Sequence, residues 1–163
     1  MIFPQNTKYL FIDMNAFFAS CEQQDNVGYR HKPVAVTPIN TDTGCIISPS
    51  YEAKAYGVKT GCSVREAKKL CPGIIIIEAH VKKYLQFNQQ LVRVLFNFSP
   101  FVTVKSVDEA VICLSPAEKN SEVALKLAQD IKYQISKNLG RYMRSSIGIG
   151  PNVWLSKMAA ESQ

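Results

Sequence analysis

The chain has 163 residues, 47% of them hydrophobic and 20% charged, an ordinary globular mix with enough apolar mass for a core. Lys and Arg number 19 against 13 Asp and Glu, a formal charge of +6 that favours a polyanionic partner, nucleic acid first. No apolar stretch reaches the roughly 18 residues that span a bilayer. Met1–Lys8 lacks the apolar core of a signal peptide, and five cysteines without a C-x-x-C pair exclude a disulfide framework or zinc knuckle. A soluble, cytoplasmic protein with reduced thiols and no membrane contact is expected.

Tyr9–Ile12 is an apolar run ending at Asp13, the pattern of a buried strand. Asn15 is positioned to cap a helix over 16–24. Residues 33–37 and 45–48 predict short strands around a turn-rich connection. Residues 50–56 predict a helix closed by Gly57, and Ser63-Val64-Arg65-Glu66 reads as the capping box of another ending at Pro72. Residues 74–77 predict a strand, and 80–98 a long amphipathic helix. Strands over 101–105 and 110–114 flank Asp108-Glu109, followed by a helix over 121–137 and a strand over 144–149. Pro151 suits the first turn of a last helix reaching 160.

Without residues 25–79 the order is strand, helix, strand, strand, helix, strand. That order is α+β and ferredoxin-like: an antiparallel sheet with helices on one face. Residues 25–79 then form a small inserted α+β lobe, and 1–24 with 80–163 form the discontinuous main domain. In this arrangement the first strand and the first strand of the hairpin are expected to be central neighbours.

That topology brings Asp13 near Asp108 and Glu109. Three clustered carboxylates repel one another and raise each other's pKa unless cations lie between them. Hard oxygen ligands on a rigid sheet suit Mg²⁺, with Mn²⁺ as a substitute, and two such ions suit phosphoryl displacement. The Met14 carbonyl is a further candidate ligand. Each acid alone is better read as a helix cap or a polar turn; their apolar strand contexts, which must meet, favour a site.

Four segments resemble those of Y-family translesion DNA polymerases. Ile12–Glu22 and Ser106–Ala110 look like the two metal motifs, Ser50–Lys59 like the fingers motif, and Ile147–Lys157 like the closing palm motif. Asn-Ala-Phe-Phe-Ala-Ser-Cys-Glu and Glu-Ala-Lys-Ala are most similar to the UmuC type, the catalytic subunit of polymerase V. The resemblance implies a palm with an inserted fingers lobe, and DNA repair by adding deoxynucleotides opposite damaged DNA. Asp13, Asp108 and Glu109 would hold two Mg²⁺ with the Met14 carbonyl. Phe18 would be the steric gate under the sugar, with Phe17 beside it. Tyr51, Lys54 and Lys157, with Ser48, would meet the triphosphate. Lys54 stands where most branches carry arginine, so a bidentate fork becomes a point charge.

Implied partners are primer-template DNA and deoxynucleoside triphosphates. A UmuD-like subunit, a sliding clamp or a recombinase filament would act through regions outside this chain, in the SOS damage response. The family's thumb and little finger are expected to be absent, so the chain alone should extend primers poorly. The competing reading is a silent homologue that serves as a DNA-binding scaffold. A nucleotidyl cyclase would carry a glycine-rich turn before the acids, and an RNA-recognition domain would carry aromatics on the hairpin strand; Lys105-Ser106-Val107 and Val102/Val104 supply neither.

Overall fold

The computed structural model describes residues 7–162; Met1–Asn6, most of the segment expected to lack a signal peptide, lies outside them, as does Gln163. The elements in chain order are β1 (Tyr9–Met14), α1 (Phe17–Asp25), β2 (Val34–Thr37), β3 (Ser48–Pro49), α2 (Tyr51–Ala55), α3 (Val64–Leu70), β4 (Ile75–Glu78), α4 (Val81–Phe96), β5 (Val102–Val104), β6 (Glu109–Cys113), α5 (Ser121–Leu139), β7 (Ser145–Gly150) and α6 (Val153–Glu161). Two single-turn 3₁₀ segments, Val27–Tyr29 and Pro116–Glu118, add to the predicted elements.

The chain divides into two compact units, residues 1–15 with 85–163 and residues 16–84. In the first, four strands run in the order β5-β6-β1-β7, all antiparallel. This is the expected ferredoxin-like sheet, with one correction. The neighbour of β1 is β6, the second strand of the hairpin, and β5 is the edge. β1 is therefore paired on both sides, and its apolar run follows from burial on both faces: Leu10 and Ile12 have no exposure and Phe11 has 2%.

Phe11 and Val111 on one face of the sheet meet Ala160 of α6. The opposite set, Leu10, Ile12 and Ile112, is buried, as are the apolar stripes Leu91 and Leu95 of α4 and Ala124, Ile131 and Ile135 of α5; α5 lies against β7. The closing helix packs on β1 and β7. Pro151 precedes α6 rather than opening it. Asn152 is the cap, its side chain accepting from the Leu155 N–H at 2.8 Å.

The second unit holds a three-stranded sheet, β3-β2-β4, with β2 antiparallel to β3 and parallel to β4. Its core is Ala35, Ile46, Ala53, Val58, Val64, Ala67 and Cys71. Ser50 caps α2 through the Ala53 N–H, and Ser63 caps α3 through the Glu66 N–H at 3.1 Å. Gly57 ends α2 at φ 86°, a left-handed conformation that favours glycine. The unit includes α1, which packs on β2 and β3, so the division falls after residue 15 and after residue 84 rather than after 24 and 79. All five cysteines are free thiols.

The predicted cap of α1 is displaced. Asn15 accepts from the Ser146 hydroxyl at 3.0 Å, and Ala16 occupies the cap position at φ 48°, ψ 43° with no side-chain bond. A left-handed alanine costs on the order of 1–2 kcal/mol. Cross-strand bonding at the end of β1 has overridden the local capping preference.

α6 approaches β7 so closely that glycine is required there. A Cβ at Gly148 would lie 1.9 Å from the Ser156 carbonyl oxygen, and one at Gly150 would lie 2.9 Å from the Ser156 nitrogen. Gly148→Ala should therefore lower unfolding free energy by roughly 3 kcal/mol, at the upper end of overpacking costs, because the obstacle is backbone. Urea denaturation monitored by circular dichroism measures this, and a change within about 0.5 kcal/mol would contradict the packing described.

Candidate active site

The acids are set by strand register. Asp13 on β1 is directly opposite Glu109 on β6, so the two side chains leave the same face of neighbouring strands. Residues opposed in this way have Cβ atoms about 4.5–5.5 Å apart. Asp108 precedes β6, and its backbone carbonyl accepts from the Met14 N–H at 3.0 Å. The connection closes through the Lys105 and Ser106 N–H groups, both donating to the Glu109 carbonyl at 2.9 and 3.3 Å.

The cluster is electrostatically loaded. Burial pushes the Asp13 carboxyl up to about 6, and the charges of Asp108 and Glu109 push the same way against the opposing Lys157. Glu109 accepts from the Lys157 ammonium at 2.8 Å, and Asp108 accepts from the Ser106 hydroxyl at 2.6 Å. The Lys157 ammonium is held above its ordinary range by that bond to Glu109. It also lies 3.8 Å from Glu161 and 5.5 Å from the centre of the Phe11 ring. Among the described residues no three His, Cys, Asp or Glu side chains form a ready-made cage. Two of the three acids instead draw positive or hydroxyl partners, the expected response of like charges in a half-buried patch.

The second unit holds the other sequence-predicted residues. Phe17 is buried, and Phe18, half-buried, tilts against it at 5.6 Å and against Tyr84 at 4.7 Å between ring centroids. Ser48 is buried in β3, where its hydroxyl accepts from the Ala19 N–H at 3.3 Å. Tyr51 and Lys54 are both in α2, Tyr51 is 42% exposed, and the ammonium lies 5.5 Å from the centre of its ring.

Sequence reasoning missed three supports. Glu22, only 1% exposed, accepts from the Tyr84 hydroxyl at 2.9 Å and pairs with His80 Nδ1 at 2.9 Å and Lys83 at 2.8 Å. Burial works against the Lys83 charge, but Asp25 and Glu22 together keep its pKa above the ordinary value. A glutamate closing an otherwise apolar helical stretch was the available signal. Ser106 adjoins the acids it serves. Asn88, whose side-chain N–H donates to the Val107 carbonyl at 2.8 Å, gave no signal among the polar residues of α4.

Residues 12–161 match the impB/mucB/samB (IMS) family along nearly the whole chain. The chain belongs to that family. It is 38% identical over 156 residues to DNA polymerase IV of Moorella thermoacetica, covering 94% of this chain and 38% of that protein. DNA polymerase IV of Clostridium perfringens strain SM101 is 35% identical over 157 residues, at 96% and 43% coverage. Among solved structures, DinB from Sulfolobus solfataricus superposes with a TM-score of 0.86 at 28% identity, over 96% of this chain and 46% of that one. An insertion ternary complex of Dbh DNA polymerase gives 0.85 at 28% identity, over 95% and 46%.

The chain thus spans less than half the length of these relatives. Three of the four are named DNA polymerase IV or DinB, which corrects the expected UmuC branch while upholding the Y-family assignment. No helix among the described residues is long and apolar enough to cross a membrane.

The raised Asp13 pKa has a definite consequence for stability. Between about pH 4 and 6 the folded chain holds more protons at Asp13 than the unfolded chain, so stability falls as pH rises through that window. Asp13→Asn should melt at the wild-type temperature near pH 4 and several degrees higher at pH 7. Thermal denaturation across that range, without divalent cations, measures this; a difference that does not change with pH would contradict it.

Proposed function

We propose that this chain is the palm-and-fingers portion of a DNA polymerase IV-like lesion-bypass polymerase, which adds deoxynucleotides opposite damaged template bases. The observation that carries the reading is the opposition of Asp13 and Glu109 on adjacent central strands, with Asp108 beside them. Residues 1–15 with 85–163 correspond to the palm and 16–84 to the fingers.

In this reaction the primer 3′-oxygen attacks the α-phosphorus of the incoming nucleotide, and the bond to pyrophosphate breaks. The site must therefore gather phosphate oxygens and neutralise charge as it builds. Asp13, Asp108 and Glu109, with the Met14 carbonyl, are the residues that would hold two Mg²⁺. The donor set fits: hard oxygens on a rigid sheet, one of whose carboxyls burial and the neighbouring charges together raise to about 6. When bound, Mg²⁺ supplies positive charge to both the attacking and the leaving oxygens.

The chain's own residues do the rest. Lys157, bonded to Glu109 here, would be free to meet the triphosphate, as the closing palm motif implies, when Glu109 serves as a metal ligand. Tyr51 and Lys54 take triphosphate oxygens by the same motif logic, with Ser48 supporting α1 from below. Lys54 gives a single point charge in place of a guanidinium fork. Phe18, whose ring lies against Phe17 and Tyr84, would sit under a deoxyribose and exclude a 2′-hydroxyl. Primer-template DNA and deoxynucleoside triphosphates are the implied partners, and a sliding clamp would engage the rest of the protein. The protein works in the cytoplasm.

Primer extension past an abasic site by the full-length parent tests the assignment. Replacing Asp108 and Glu109 together by alanine should cost about 4 kcal/mol of transition-state stabilisation, roughly a thousandfold in rate. Activity retained within tenfold would overturn the acid assignment. Phe18→Ala should raise ribonucleotide incorporation relative to deoxynucleotide incorporation in the same assay, and an unchanged ratio would remove Phe18 from the sugar site.

A further inference from the structure

We infer that Asn88 is the positioning residue for Asp108, holding the acidic turn against the sheet so that its carboxylate meets a divalent cation in register with Asp13. The cation half of this inference rests on the function proposed above; the positioning half rests on geometry alone.

The two acids of the turn are placed by different means. Glu109 is the first residue of β6, and the ladder opposite Asp13 fixes it. Asp108 has no ladder partner and belongs to the bend at 106–108. The Lys105 and Ser106 N–H groups close that bend onto the Glu109 carbonyl, which leaves Val107 and Asp108 at its tip.

The Ser106 hydroxyl bonds Asp108 Oδ1 at 2.6 Å, but Ser106 travels with the turn and cannot anchor it to anything else. Two contacts from other elements reach the tip. The Met14 N–H on β1 donates to the Asp108 carbonyl at 3.0 Å, and the Asn88 amide on α4 donates to the Val107 carbonyl at 2.8 Å. Asn88 thus ties the bend at 106–108 to α4 through a side chain.

The bond is half-buried at both ends, so water replaces it only if the tip swings outward. Such a swing moves Asp108, the next residue, while Glu109 stays in its ladder. Removing Asn88 should therefore separate the two acids functionally. A displacement near 1 Å is enough to degrade a coordinating constellation.

The test uses the chain with Asn88→Ala. Amide hydrogen exchange by NMR reads positioning without any metal: the Met14 N–H, bonded to the turn, should exchange about tenfold faster, while Leu10 and Phe11 in the same strand keep wild-type rates. Binding of Mn²⁺ alone, followed by electron paramagnetic resonance, should weaken roughly tenfold. In an Asp108→Asn background Asn88→Ala should have no further effect on Mn²⁺ affinity, whereas in Glu109→Gln the loss should persist. Unchanged Met14 exchange would overturn the positioning role, as would an equal Mn²⁺ loss in both backgrounds. A wild-type chain that does not bind Mn²⁺ would defeat the cation half, leaving the exchange result to decide the positioning half.

Discussion

The constraint on which the rest depends is the antiparallel register of β1 against β6. Pairing Tyr9 with Cys113 at one end fixes Asp13 opposite Glu109 at the other. A slip of one residue would turn every side chain of β1 to the other face, sending Asp13 into the core and Leu10 and Ile12 out of it. With Leu10 and Ile12 fully buried, that slip is prohibitively costly, so hydrophobic packing sets the geometry of the acids. The site is accurate because the core beneath it is.

The same register makes the site unfavourable by itself. Burial at the strand end, with the charges of Asp108 and Glu109 added to it, raises Asp13 to about 6, and Glu109 draws in Lys157 for partial compensation. A fold selected for stability alone would not keep that arrangement, since alternatives of similar volume without the charge are available at each position. The left-handed Ala16, immediately after the acid-bearing strand, is a second local cost in the same stretch. Strain and repulsion concentrated at the end of one central strand are what a charge-binding site on that strand entails.

Much of this was legible in the sequence. The apolar run of β1, the serine caps at Ser50 and Ser63, Gly57 after α2 and the helical stripes of α4 and α5 are local signals, and the structure follows them. What escaped was decided by contacts between distant segments. Which hairpin strand lies beside β1 is a topological choice invisible to periodicity, and β6 took the place given to β5. Asn15 has the local sequence of a cap, but its partner is Ser146, 131 residues further along the chain. α1 joined the second unit because it packs on β2 and β3, not because of anything in its own residues. The branch of the family shows the same limit: the Asn-Ala-Phe-Phe and Glu-Ala-Lys-Ala segments that resemble UmuC are short, whereas identity over 156 residues favours DNA polymerase IV.

The central claim is that the acids at the end of β1 are arranged for divalent cations. Its most direct test is a ¹³C NMR titration of the Asp13 carboxyl in the chain, with and without saturating Mg²⁺. The account predicts a midpoint near 6 without the ion, shifted well below the ordinary carboxylate value near 4 when Mg²⁺ is present. A midpoint near 4 that is indifferent to Mg²⁺ would contradict it.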